Sequence, residues 1–196
     1  MKYFIVGLHG SGKQEVVDIL EHQGVACGKL FSNIEAPSDT IYGSYNYELV
    51  STTDINEVFE NNAYVFLREL KHGTEKYYEG LSTYDVENND VFVLSPDQLV
   101  AISPKLMPED VCFIWLDNTK ANRYNRYRDE RCSYNFNERE DLERQDLNIF
   151  IRNMYSYDKN RVLYFMNDDP VRIAAIVFAL VQHEDLLPAF SQAFSS

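Results

Sequence analysis

Cysteine is scarce in this chain: it has three, Cys27, Cys112 and Cys132, with no CxxC pair among them. That excludes a disulfide scaffold and a Cys-based zinc site, and makes a reducing cytoplasm the expected setting. Positive charge is also in short supply, 18 Lys and Arg against 31 Asp and Glu, for a net charge of −13. No broad contact with nucleic acid or an anionic membrane is expected, because both are polyanions that need basic patches. Long apolar runs are missing as well. The first one, Tyr3, Phe4, Ile5 and Val6, is ended by Gly7; it is too short for a secretory signal, and no run approaches the ~18 apolar residues of a membrane span. The four histidines, His9, His22, His72 and His183, show no metal-ligand spacing. There is no HExxH and no Gly-x-Ser-x-Gly elbow, so zinc-protease and serine-hydrolase chemistry have no foothold.

What the chain does have is material for a core. Its 196 residues are 45% hydrophobic, with 14 Tyr and 12 Phe, which predicts one folded unit. The opening apolar run reads as a buried parallel strand, and the spacing of Val16, Val17, Ile19 and Leu20 predicts a helix over 13–23, stopped by Gly24. Residues 25–31 read as a second strand and 32–46 as loop. Strands follow at 47–51, 63–70 and 75–78, with a helix over 53–60 capped by Thr53 or Asp54. The most apolar later runs, 91–94 and 111–116, read as central strands, with a short helix over 96–103 between them. Residues 119–160 predict two charged helices joined by an exposed turn near 132–137. A last strand at 162–166 leads to an apolar helix ending near Val181, with Asp169 as N-cap and Pro170 at its first position. The final six residues are expected to fray. Alternating strands and helices place the chain in the α/β class, a parallel sheet wrapped by helices, with a more irregular layer in 32–90.

The chemistry starts at Gly7-Leu8-His9-Gly10-Ser11-Gly12-Lys13, between the first strand and the first helix. Glycines let successive N–H groups curl towards one point, the helix N-terminus adds partial positive charge, and Lys13 supplies a full one, which together suit phosphate oxygens. Residues His9, Gly10, Ser11, Gly12, Lys13 and Gln14 are therefore the candidate phosphate binders. Gln14 stands where such loops usually carry the Ser or Thr that holds magnesium, so Mg²⁺ would be held indirectly, through water and phosphates.

Further motifs follow in order: Tyr47-Glu48-Leu49-Val50-Ser51 with Phe59, then Phe66-Leu67-Arg68-Glu69, then Tyr77-Tyr78-Glu79-Gly80-Leu81-Ser82, and finally Asn167-Asp168-Asp169 after an apolar strand. With the glycine loop, this series resembles guanylate kinase. The resemblance implies a P-loop kinase fold with a central parallel sheet flanked by helices. It further implies a core of 1–31, 91–120 and 160–196, a small mixed acceptor-binding subdomain over 32–90 and a helical lid over 121–159. It implies transfer of the γ-phosphoryl of ATP, with Mg²⁺, to GMP or another nucleoside monophosphate, by a monomer or homodimer. Tyr47, Glu69, Tyr78, Ser82 and Asp97 would meet the acceptor, and Asn167 and Asp168 would lie beside the adenine. Lys13 and the lid's Arg126, Arg131, Arg139 and Arg144 would stabilise the transferring charge.

One departure matters. The family clamps its acceptor phosphate with arginines ahead of the Tyr-Tyr stretch, whereas residues 14–67 here contain nine acids, one Lys (Lys29) and no Arg. Either Lys29 or Arg68 substitutes, or the acceptor is not GMP, or the acceptor site no longer works. The alternative is a degenerate guanylate kinase-like module that binds nucleotides or proteins without catalysis. A GTPase switch is disfavoured by the lack of Asp-x-x-Gly and Asn-Lys-x-Asp motifs.

Overall fold

The computed structural model describes residues 1–33, 47–61, 63–72, 75–129, 135–153 and 161–194. Strand β1 (Lys2–Val6) sits at the middle of a five-stranded parallel sheet because both of its faces are apolar. Alternate side chains of a strand point to opposite faces. Tyr3 and Ile5 accordingly enter one core and Phe4 and Val6 the other. The neighbours are β2 (Cys27–Gly28), β7 (Val91–Leu94), β8 (Val111–Asp117) and β9 (Val162–Met166), in the order β2-β7-β1-β8-β9. Helices α1 (Lys13–His22) and α7 (Pro170–Gln182) cover the first face through Val16, Val17, Leu20, Ile173, Val177 and Leu180. As expected, α7 starts on an Asp169 cap, whose side chain accepts from the Arg172 amide, with Pro170 in its first turn. The other face receives α4 (Pro96–Ile102) and the long α6 (Phe136–Asn153), with Leu99, Ile102 and Phe150 buried there.

A second sheet, in the order β4-β3-β6-β5, is built from β3 (Leu30–Ser32), β4 (Tyr47–Leu49), β5 (Tyr64–His72) and β6 (Glu75–Ser82). It joins the second core through Leu30, Phe66 and Leu81. The single strand expected over 25–31 is therefore two strands, one in each sheet. They separate at Gly28, where a Cβ would lie 2.2 Å from the Phe92 ring; the chain crosses that ring closely and leaves the first sheet. The expected division between residues 31 and 32 falls inside β3.

Helix α2 (Thr52–Glu60) is capped by Ser51 instead of Thr53 or Asp54. The Asp54 amide donates to Ser51 Oγ at 3.1 Å and the Ser51 amide donates back to Asp54 at 3.1 Å. Strands β5 and β6 outrun their expected lengths because they pair with each other as a long antiparallel hairpin. Two helices were not anticipated: α3 (Thr83–Asn88), capped by Ser82, and α8 (Leu187–Phe194), which occupies the end expected to fray and buries Leu187 and Ser191. The two charged helices are α5 (Lys120–Asp129) and α6. Residues 34–46 of the expected loop and 132–134 of the expected turn lie outside the described residues, while 136 and 137 already belong to α6. Among the described residues, no single helix is long and apolar enough to cross a membrane.

Candidate functional site

The loop between β1 and α1 is shaped by two glycines at which any side chain would meet close neighbours. At Gly7 a Cβ would stand 2.3 Å from the Leu116 carbonyl oxygen and 2.7 Å from Ser11 Oγ. Gly12 caps α1 in the left-handed region, at φ +88°, and a Cβ there would lie 2.3 Å from Asn167 Nδ2 and 2.4 Å from Arg126 Nη1. Helix α1 begins at the next residue, so its first N–H groups, which have no intrahelical partner, face the loop. Lys13 folds over it, Nζ donating to the carbonyls of Gly7 (2.7 Å) and Leu8 (3.2 Å). Ser11 is fully buried, and its Oγ and Asn167 Oδ1 have no hydrogen-bond partner. The Asn167 amide nitrogen donates to the Ser11 carbonyl at 2.8 Å, which ties the end of β9 to the loop. Asp168, by contrast, is exposed and pairs with Arg172 at 3.1 Å. Gln14 turns along α1 to donate to Asp18 at 2.6 Å.

The arginines expected to serve a lid divide into two sets. Arg126 reaches the loop directly, Nη1 donating to the Gly10 carbonyl at 3.0 Å while Nη2 pairs with Glu15 at 2.7 Å. Arg139 reaches it through a carboxylate: its Nε donates to Glu143 Oε1 at 2.8 Å, and Glu143 Oε2 accepts the His9 amide at 2.7 Å. Arg144 turns to Glu140, at 2.8 Å. Glu140 also gathers the buried Arg123 at 3.0 Å and Lys120 at 3.1 Å, and Arg123 Nε donates to the Asn118 carbonyl at 3.1 Å. Burial alone would raise the Glu140 carboxyl, but hydrogen bonds from Arg123, Arg144 and Lys120 outweigh it and hold that group at about 2. Arg131 lies outside the described residues.

Across from the loop, the hairpin register sets Arg68 opposite Glu79 and Glu69 opposite Tyr78. Arg68 donates to both Glu79 and Asp97, the latter at the start of α4, where it also accepts from Ser95 Oγ. Gln98 adds a 3.4 Å contact to the buried Glu79. Glu69 pairs with Lys76 at 3.0 Å and accepts from the Tyr78 hydroxyl at 3.3 Å. Ser82 is taken up as the α3 cap, accepting the Asp85 amide at 2.9 Å. Tyr47 is in β4, beside Leu30. Lys29, considered above as a stand-in cation, is exposed between β2 and β3. On α6, burial and the nearby Asp97 charge push the Asp146 carboxyl up, partly offset by Arg68. The helix therefore faces both the loop and the Arg68 cluster.

Among the described residues, no group of three or more His, Cys, Asp or Glu side chains could hold a metal ion. Gln14, at the position where such loops carry a hydroxyl, is engaged with Asp18.

The structure as a whole is similar to a solved one, guanylate kinase from Anaplasma phagocytophilum. The TM-score is 0.53 at 15% identity, over 94% of this chain and 85% of that one. This chain has a guanylate kinase-like fold. No protein-family model matches it, and no curated protein matches at the level of sequence. A fold hosts many functions, so the site has to carry the functional argument.

The sequence reading passed over Glu140, Glu143 and the structural use of Arg123. The one available signal was spacing: Arg139 with Glu143, and Glu140 with Arg144, are four apart on α6. Among the described residues, Arg123, Arg126, Arg139 and Arg144 pair with Glu15, Glu140 and Glu143.

Proposed function

We propose that this protein is a nucleoside monophosphate kinase, transferring the γ-phosphoryl of ATP, with Mg²⁺, to GMP or another (deoxy)nucleoside monophosphate. The observation that carries this reading is the glycine loop closed over α1, with Lys13 on it and Arg126 of α5 already spanning to its rim. Phosphoryl transfer asks a protein mainly to position two nucleotides and neutralise charge spread over the moving group. Here the loop amides, Lys13, Arg126, Arg131, Arg139 and Arg144 would supply the charge, and α5 and α6 would shut out water that could otherwise hydrolyse ATP. Asn167 and Asp168 flank the adenine side. Tyr47, Glu69, Tyr78, Ser82 and Asp97 form the acceptor side, where a carboxylate such as Glu69 accepts from base N–H groups and Tyr hydroxyls donate to phosphate.

A specific observation favours a second reading, a nucleotide-binding or protein-interaction module without turnover. Arg68, the arginine of the acceptor side, is committed to Glu79 and Asp97. ATP consumption measured with a panel of ribo- and deoxyribonucleoside monophosphates separates the two. Turnover with at least one acceptor, abolished in Lys13→Ala, is the expected result. ATP binding with no turnover on any acceptor would select the nucleotide-binding form of the second reading, and neither binding nor turnover would defeat the kinase reading and leave only the protein-interaction form.

A further inference from the structure

We propose that Glu143 is an internal anion that occupies the phosphate loop until a polyphosphate displaces it, and that its displacement hands Arg139 to the incoming phosphate. The inference rests on the reading that the loop binds polyphosphate. Glu143 lies 134 residues from His9, yet one of its oxygens accepts the His9 amide at 2.7 Å. The other accepts Arg139 Nε at 2.8 Å, and the two side chains of that pair are only 2% and 4% exposed. A carboxylate on a backbone amide of a glycine loop, just ahead of a helix N-terminus, makes the same kind of contact as a bound phosphate oxygen.

The rest of the loop is arranged to match. Lys13 satisfies itself on the carbonyls of Gly7 and Leu8, while Ser11 Oγ and Asn167 Oδ1 stay buried without partners. The loop's main cation and one of its amides are thus already engaged within the protein. A phosphate cannot settle beside a buried carboxylate without strong repulsion, so Glu143 has to leave as the phosphate enters. Arg139 cannot be left unpaired, because a buried charge stripped of its partner is costly. The arriving phosphate supplies the replacement anion. Glu143 therefore sets nucleotide affinity by competition and positions Arg139 for its exchange of partners.

The test compares the full-length wild type with Glu143→Gln and Glu143→Ala, titrated by calorimetry with MgATP and with inorganic tripolyphosphate. Both variants should melt lower without ligand, because Arg139 loses its partner. Both should nevertheless bind the two probes about tenfold more tightly, the scale of one charged hydrogen bond no longer competed for. A purely structural role would give the lower melting point with equal or weaker binding, and would overturn the proposal while leaving the nucleotide reading standing. If wild type and variants bind neither probe, both fall. Independently of any variant, the His9 amide of the ligand-free wild type should be protected from hydrogen exchange, and rapid exchange at that amide overturns the internal contact itself.

Discussion

Replacing Glu140 by Gln tests the framework that holds α5 and α6 together. Its carboxylate is 5% exposed and gathers Arg123, Arg144 and Lys120 from α5 and α6. Held at about 2 against an ordinary 4.5, the folded-state carboxyl contributes about 3 kcal/mol at neutral pH, at about 1.4 kcal/mol per tenfold change in acidity. The loss should be of similar size when viewed as a broken buried ion pair, which costs about 3–5 kcal/mol. Because the folded-state value is depressed, this stability is fully present above the unfolded value of 4.5 and is lost as the pH falls towards about 2. Urea denaturation at pH 7 should therefore show Glu140→Gln about 3 kcal/mol less stable than wild type, a fall in Tm of roughly 6–12 °C for a chain of this size. The difference should shrink steadily below about pH 4.5, since acid removes from the wild type the charge that the variant already lacks. A loss at pH 7 under about 1 kcal/mol, or one that does not change on acidification, would refute the view of Glu140 as the anionic hub that joins α5 to α6.

Two further outcomes follow from the geometry. Gly12→Ala forces a side chain into a left-handed backbone and against Asn167 and Arg126; it should cost about 1–3 kcal/mol of stability from backbone strain and weaken MgATP binding by calorimetry more than it lowers the melting point. Arg68→Ala strands the buried Glu79 and the neighbouring Asp97. It should destabilise by about 3 kcal/mol in urea, and Arg68→Met, which restores volume but not charge, should recover little of that loss.

Some of this architecture could be read directly from the residues. The central strand was legible because its alternate side chains serve two cores, and α7 because Asp169 and Pro170 mark its start locally. The glycine loop was legible for the same reason: its shape depends on residues a few positions apart. The split between β2 and β3 was not, since the one local signal in Val25-Ala26-Cys27-Gly28-Lys29-Leu30-Phe31 is Gly28, and what requires a glycine there is the Phe92 ring, far along the chain. Helix α3 could have been found from Ser82 and Asp85, which cap it, but an extended run masked them. The site's electrostatics were the least legible part. A list of arginines gives their number, whereas their availability is decided by carboxylates such as Glu143, whose link to the loop appears only once the chain is folded.

That availability changes the picture of how charge is delivered to the loop. In a chain of net charge −13, the lid guanidiniums Arg126, Arg139 and Arg144 each end on a carboxylate. On the proposed function, an incoming phosphate would meet ion pairs, and binding would become an exchange of anions. The pairs differ in how readily they exchange. Arg126 and Glu15 are 30% and 49% exposed, so their pair is worth no more than about 1 kcal/mol and can be given up early. Arg139 and Glu143 are buried, and separating them is tolerable only when another anion is already in reach. On the proposed function this sets an order, with Arg126 engaging first from the rim and Arg139 last from the interior. The inner arginine would then be released only by a ligand that carries enough phosphate to span from one to the other, which distinguishes a triphosphate from a single inorganic phosphate without any contact to the base.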